Sequence, residues 1–215
     1  MSQAEDKFFT GDFWRTENRR YSEPHFRLEK CARLVNRLAA GCPRELLDVG
    51  CGPAALEPLL DSRIRYQGVD IAIQHPKSNL LELDFVTHDL PFAQGSFDIV
   101  VASGVFEYMG RAQARKFGEI AGLLKRDGTF VVSYINFDHA RRVVSPFYNN
   151  VQSIPAFRQG LDEHFQVVKA YPNSYNWQGT PPRRKLLKRL EMPLNFRVPF
   201  ADHLAVEYFF LCAPK

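Results

Sequence analysis

The sequence predicts an α/β protein built on a doubly wound sheet, mostly parallel with an antiparallel last strand, with helices on both faces. Three observations lead there. Short apolar runs of strand length alternate with segments whose apolar residues recur at helical spacing. Apolar strands in such an alternation suit a parallel sheet covered on both faces. The last two runs have no clear crossover pattern between them, which favours an antiparallel edge.

The elements follow in order. The first 25 residues are aromatic and charged, with Phe8, Phe9, Phe13, Trp14 and Tyr21, and read as an arm that closes over something. Leu28, Cys31, Val35 and Leu38 recur at helical spacing, and Gly41 with Pro43 ends that helix. Residues 45–49 (ELLDV) read as the first strand. A glycine-rich turn follows, then a short helix with Leu56, Leu59 and Leu60 that Pro58 limits. Residues 65–70 form the second strand and 83–86 the third, separated by too few residues for more than a very short helix. Residues 97–102 (FDIVVA) form the fourth. Phe117, Ile120, Ala121 and Leu124 make a helical stripe before Gly128 turns into the fifth strand, 129–134. Residues 165–170 and 204–211 complete the set. Between them lies a basic insertion at about 172–203, where Leu186, Leu187 and Leu190 share one helix face opposite Arg183, Arg184, Lys185, Lys188 and Arg189.

With 215 residues, 45% apolar and 24% charged, the chain carries enough apolar surface for one substantial core. Disordered, collagenous and low-complexity classes are excluded. We expect a single domain over 1–215, with an arm and helix over 1–44, a core over 45–135 and an acceptor-side segment over 136–215. The apolar stretches fall far short of the roughly 20 residues of a membrane span. The N-terminus lacks the basic start and apolar run of a secretory signal, so a cytoplasmic location is expected. Cys31, Cys42, Cys51 and Cys212 form no Cys-x-x-Cys pair, which suits reduced thiols and no metal. Net charge is +4, but the segment 183–189 holds five of the positive charges and the rest of the chain sums to about −1. A general nucleic-acid-coating role is therefore disfavoured.

The informative stretch is 46–56 (LLDVGCGPAAL), where a buried strand runs into a glycine turn. Such a turn brings backbone amides to a ligand at the carboxyl edge of the sheet. With Ala55 in the third slot it also satisfies a loose dinucleotide fingerprint. Two residues argue against that ligand. Asp48 sets a carboxylate where a pyrophosphate would lie, and like charges repel. Pro53 removes an amide donor from the phosphate cradle. Both favour a ligand that is positively charged at this end. Asp70 ends the second strand, twenty residues beyond Gly50, at the spacing that reaches ribose hydroxyls.

Followed by 87–92 (THDLPF), 95–108 (GSFDIVVASGVFEY) and 123–133 (LLKRDGTFVVS), this series resembles the class I S-adenosylmethionine-dependent methyltransferases, whose fold is Rossmann-like. The resemblance implies that Gly50, Cys51 and Gly52 wrap the methionine part and that Asp48 sits beneath it and holds the ammonium. It further implies that Asp70 takes the ribose hydroxyls and Ile71 flanks the adenine. Asp89 would accept from the adenine amino group, with Leu90 lending its amide, and Ser103 and Gly104 would stand beside the methyl group. Two departures matter. Arg126-Asp-Gly128 replaces the usual Pro-Gly-Gly before the fifth strand, and Tyr108 stands where many small-molecule members carry histidine.

Transfer from a sulfonium is a direct displacement, so the protein's task is alignment and exclusion of water. A base is required only where the acceptor must lose a proton. The catalytic candidates are Tyr108 after the fourth strand and His139 after the fifth, with Glu107, Tyr134 and Asn136 as positioning groups. His88 belongs to the adenine end. Cys51 reads as a small turn residue, with no base in sequence to activate it as a nucleophile. Phe13, Trp14 and Tyr21 of the arm would cover the cofactor, and 136–155, with Arg141, Arg142, Phe147 and Tyr148, would wall the acceptor. The expected activity is methyl transfer to oxygen or nitrogen of a small-molecule acceptor. The alternatives are RNA methylation through the basic helix, or a non-catalytic cofactor-binding or structural partner. The oligomeric state is not specified by the sequence.

Overall fold

The structure is a computed structural model and describes residues 10–17, 26–137, 147–149, 151–175 and 205–215. Seven strands form a single sheet: β1 (Arg44–Val49), β2 (Ile64–Asp70), β3 (Leu80–Glu82), β4 (Phe97–Ala102), β5 (Leu124–Ile135), β6 (Phe165–Tyr175) and β7 (Ala205–Pro214). Their order is β3-β2-β1-β4-β5-β7-β6. The first five run parallel, while β7 is antiparallel to both β5 and β6. This is the Rossmann-like arrangement that the sequence predicts, with chain reversal between β1 and β4 opening a crevice at their carboxyl ends.

Because successive side chains of a strand face opposite ways, one strand feeds two cores. Leu47, Val49, Val100, Phe130 and Val132 face one side, together with Phe106, Phe117 and Phe157. Leu46, Ile99, Val101 and Val131 face the other, with Cys31 and Val35. Helix α2 (Phe26–Leu38) supplies Cys31 and Val35, and α3 (Gln113–Leu123) and α4 (Ile154–His164) supply Phe117 and Phe157. A further short helix, α1 (Gly11–Glu17), precedes them.

Several elements depart from expectation. The third strand lies at Leu80–Glu82, three residues before the predicted start, since 83–86 turns on Asp84 instead of pairing. The predicted helix after the glycine turn is only a 3-10 turn, Glu57–Leu59, cut short around Pro58. As expected, no helix separates β2 from β3 among the described residues. Helix α4 was not foreseen. Its signals are local: Ser153 caps it by accepting from the Ala156 amide at 3.2 Å, Pro155 sits in the first turn, and Phe157 and Leu161 are fully buried four residues apart. The basic segment 183–189 lies outside the described residues. Among the described residues no helix is long and apolar enough to cross a membrane, and no cluster of His, Cys, Asp and Glu could hold a metal ion.

Candidate functional site

The carboxyl end of β1 leads into the glycine turn. Gly50 and Gly52 adopt φ of 72° and 53°, the left-handed region open to glycine. The amides of Gly50 and Cys51 both donate to the Val69 carbonyl, at 2.8 and 3.1 Å, which fastens the turn to β2. A methyl group on Gly50 would stand 2.4 Å from Val105 Cγ2, so the loop after β4 closes directly on this glycine. Asp70, at the end of β2, ties the far side: its Oδ2 accepts from the Gly52 amide at 2.8 Å and its Oδ1 from the Ala72 amide at 2.9 Å.

Asp48 lies under the turn and is 4% exposed. Tyr66 Oη donates to its Oδ2 at 2.7 Å. Burial, and secondarily the charge of Asp70, push the Asp48 carboxyl up to about 7 in spite of the tyrosine hydrogen bond. Cys51 is buried, and burial pushes its thiol well up, which removes it as a nucleophile.

Beyond Asp70 an open cleft of about 510 Å³ is lined by Gly11, Ile71, Glu82, Leu83, Asp84 and His88, among others. Ile71 and His88 thus lie on one cleft. Asp89 and Leu90 are not among the lining residues. The Asp89 side chain is 82% exposed and pairs with Arg115 at 2.6 Å, while the Leu90 amide is taken by Glu119. Two residues past the strand stands Asp84, whose two oxygens accept from the Val86 amide at 3.1 Å and from Thr87 Oγ1 at 2.8 Å. Asp84 lines the cleft, and the sequence does not single it out.

Helix α1 spans the crevice. On one side Arg15 pairs with Glu82 at 3.0 Å, and Gln74 Nε2 donates to the Arg15 carbonyl at 3.1 Å. Gly11 packs against the Ile71 carbonyl so closely that a Cβ would stand 3.0 Å from it. On the other side Trp14 meets Tyr108 edge-on at 5.0 Å between ring centroids, and Phe13 meets Phe147 at 5.1 Å. Tyr148 adds a third ring, 5.5 Å from Tyr108. Tyr21 and His139 fall outside the described residues.

Past β4, Gly104 adopts φ of 73° and its amide donates to Ser133 Oγ at 2.9 Å. A Cβ there would meet the Arg27 guanidinium at 2.4 Å. Arg27 pairs in turn with Glu207 at 3.2 Å. Ser133 Oγ donates to the same Glu207 oxygen at 2.9 Å, and Asn173 Nδ2 donates to the other at 2.6 Å. Glu107, in the turn after β4, is wholly buried, and its Oε1 accepts from the Ile135 amide at 3.0 Å. This buried network of Arg27, Ser133 and Glu207 was not legible beforehand, since its members come from α2, β5 and β7 with no common spacing.

A parallel sheet with an antiparallel β7, a glycine turn after β1 and an acidic residue ending β2 defines the class I methyltransferase fold. A model of the methyltransferase domain matches residues 24–180. The chain belongs to this methyltransferase family, and its cofactor is S-adenosylmethionine. Compared by sequence with proteins of curated function, the chain has no match. Among solved structures it is similar to a SAM-dependent methyltransferase from Archaeoglobus fulgidus (17% identity, TM-score 0.64, covering 87% of this chain and 93% of that one). It is also similar to the CcbJ methyltransferase of Streptomyces caelestis (15%, 0.63, 89% and 90%). A third likeness is to the 1,6-didemethyltoxoflavin-N1-methyltransferase of Burkholderia thailandensis with bound 1,6-didemethyltoxoflavin and S-adenosylhomocysteine (18%, 0.55, 87% and 78%). At these identities the likeness speaks for the fold alone.

Proposed function

We propose that the chain transfers the methyl group of S-adenosylmethionine to a nitrogen or oxygen of a small-molecule acceptor. The donor set fits this cofactor. Gly50, Cys51 and Gly52 form a turn without side-chain bulk for the methionine part, and Asp48 lies below it for the ammonium. Asp70, fixed by the Gly52 and Ala72 amides at the end of β2, stands where the ribose hydroxyls would lie. Ile71 flanks the adenine, and Asp84 takes the amino-group role first read for Asp89. Ser103 and Gly104 stand beside the methyl.

The sulfonium supplies a methyl carbon already activated for displacement. What falls to the protein is orientation and dryness. The observation that carries the small-molecule reading is α1, which joins the cofactor cleft through Arg15 and Glu82 to an aromatic wall through Trp14 and Tyr108. A helix laid across both ends narrows the acceptor entrance and excludes water. Tyr108, in the turn after β4, belongs to that wall and would orient an acceptor; His139 remains the second candidate.

The test is incubation of the purified protein with methyl-labelled S-adenosylmethionine and fractionated cell extract. Label in the low-molecular-weight fraction is expected. Label confined to RNA or protein contradicts the proposal.

A further inference from the structure

The turn over residues 84–90 has the cleft on one side and α3 on the other. On the cleft side stand Asp84 and His88, with Leu83 just before them. On the far side, three backbone groups of the turn are taken by side chains of the one helix. Arg115 Nη2 donates to the Val86 carbonyl at 2.6 Å, and Lys116 Nζ donates to the His88 carbonyl at 2.6 Å. Glu119 accepts from the Leu90 amide and from Lys116, so this pair, one helical turn apart, closes a ring with the backbone it holds. The hold passes forward to the cleft. The His88 amide donates to the Asp84 carbonyl at 3.0 Å, and the Asp84 carboxylate accepts from Val86 and Thr87 within the same turn. The His88 ring is fixed through Nδ1, 2.9 Å from Thr87 Oγ1 and 3.2 Å from the Asp84 carbonyl.

Lys116 is 1% exposed. A buried ammonium is costly, and well-packed apolar residues often replace a buried ion pair without loss of stability. Packing alone therefore does not call for a lysine here; the direction of its hydrogen bonds does. We propose that Lys116, with Arg115 and Glu119, is a positioning residue for the cofactor: it fixes the turn from behind and so sets Asp84 and His88 as the wall that reads the base. This rests on the reading above that Asp84 takes the adenine amino group. A carboxylate on that wall attracts an amino group and repels a carbonyl oxygen, so the wall tells adenine from hypoxanthine. Such discrimination needs Asp84 held in one place, which the contacts from α3 supply.

The experiment measures binding of S-adenosylhomocysteine and S-inosylhomocysteine to the full chain by calorimetry. The wild type is expected to prefer the adenine compound roughly tenfold. The double variant Lys116→Met, Glu119→Gln removes both charges together and keeps an oxygen for the Leu90 amide. It is expected to melt close to the wild type and to lose most of that preference, through weaker binding of S-adenosylhomocysteine alone. A merely structural role for Lys116 would weaken both compounds alike and keep their ratio. That result overturns the proposal, as does a variant that binds both compounds as the wild type does. A wild type that binds the two equally strikes the Asp84 reading, and the proposal with it. Should the double variant fail to fold, Arg115→Met decides, since its side chain is about half exposed and its loss frees the Val86 carbonyl. The preference is expected to narrow there too, and an unchanged ratio contradicts the proposal. Failure of the wild type to bind S-adenosylhomocysteine at all strikes the methyl-transfer reading instead.

Discussion

Tyr66 Oη donates to Asp48 Oδ2 across 2.7 Å directly beneath the glycine turn, so the carboxyl near the end of β1 is both buried and hydrogen-bonded. Its pKa stands at about 7. The unfolded chain releases that proton near 3.9. The folded state therefore binds the proton more tightly, its stability is highest below the unfolded value, and stability falls as pH rises from about 4 towards 7. Glu107, also raised to about 7, acts in the same direction.

The melting temperature of the ligand-free protein is accordingly expected to drop between about pH 5 and about pH 8. Asp48→Asn should flatten part of that slope, raise stability at the alkaline end and weaken the cofactor. Thermal melts across the range check both. A melting temperature that rises over this interval, or an unaltered slope in the variant, contradicts the assignment.

Gly50→Ala sets a methyl group 2.4 Å from Val105 Cγ2 at a backbone φ of 72°. Strain and overlap together should cost on the order of 1–3 kcal/mol of stability. Adding Val105→Ala should relieve the overlap but leave the strain, so denaturant titration should show partial recovery. Full recovery would mean that the left-handed backbone carries no cost here.

Asp84 and Asp89 make opposite predictions. Asp84→Asn disturbs the edge of the cleft and should weaken S-adenosylhomocysteine several-fold. Asp89→Asn removes only an exposed pair with Arg115 and should leave affinity within error. Calorimetry on both variants decides between them, and the reverse order would restore the reading made from sequence.

Trp14→Ala removes one ring from the wall while leaving Arg15 on Glu82. It should raise KM for the acceptor more than it changes cofactor affinity. An equal loss in both would show that α1 serves the cofactor alone.

The fold was legible because its signals are local and strong. Apolar runs mark β1, β2 and β4, and the Gly50–Gly52 turn with Asp70 marks the crevice. What escaped depended on pairing. The third strand is short and its residues are only partly buried, so hydrophobicity could not fix its position. Asp84, on the cleft beside that strand, carries no sequence signal of its own. Glu107 could be named as a positioning group from its place after β4, but its lone oxygen and the Arg27–Glu207 pair arise only when α2, β5 and β7 converge.

The most direct measurement is calorimetric titration of the wild type and of Asp70→Asn with S-adenosylmethionine and, separately, with NAD. One S-adenosylmethionine should bind per chain, NAD should not, and the variant should lose roughly 1.5–3 kcal/mol for each charged hydrogen bond to the ribose. Binding of NAD with no heat from S-adenosylmethionine, or an unchanged affinity in Asp70→Asn, would contradict the account.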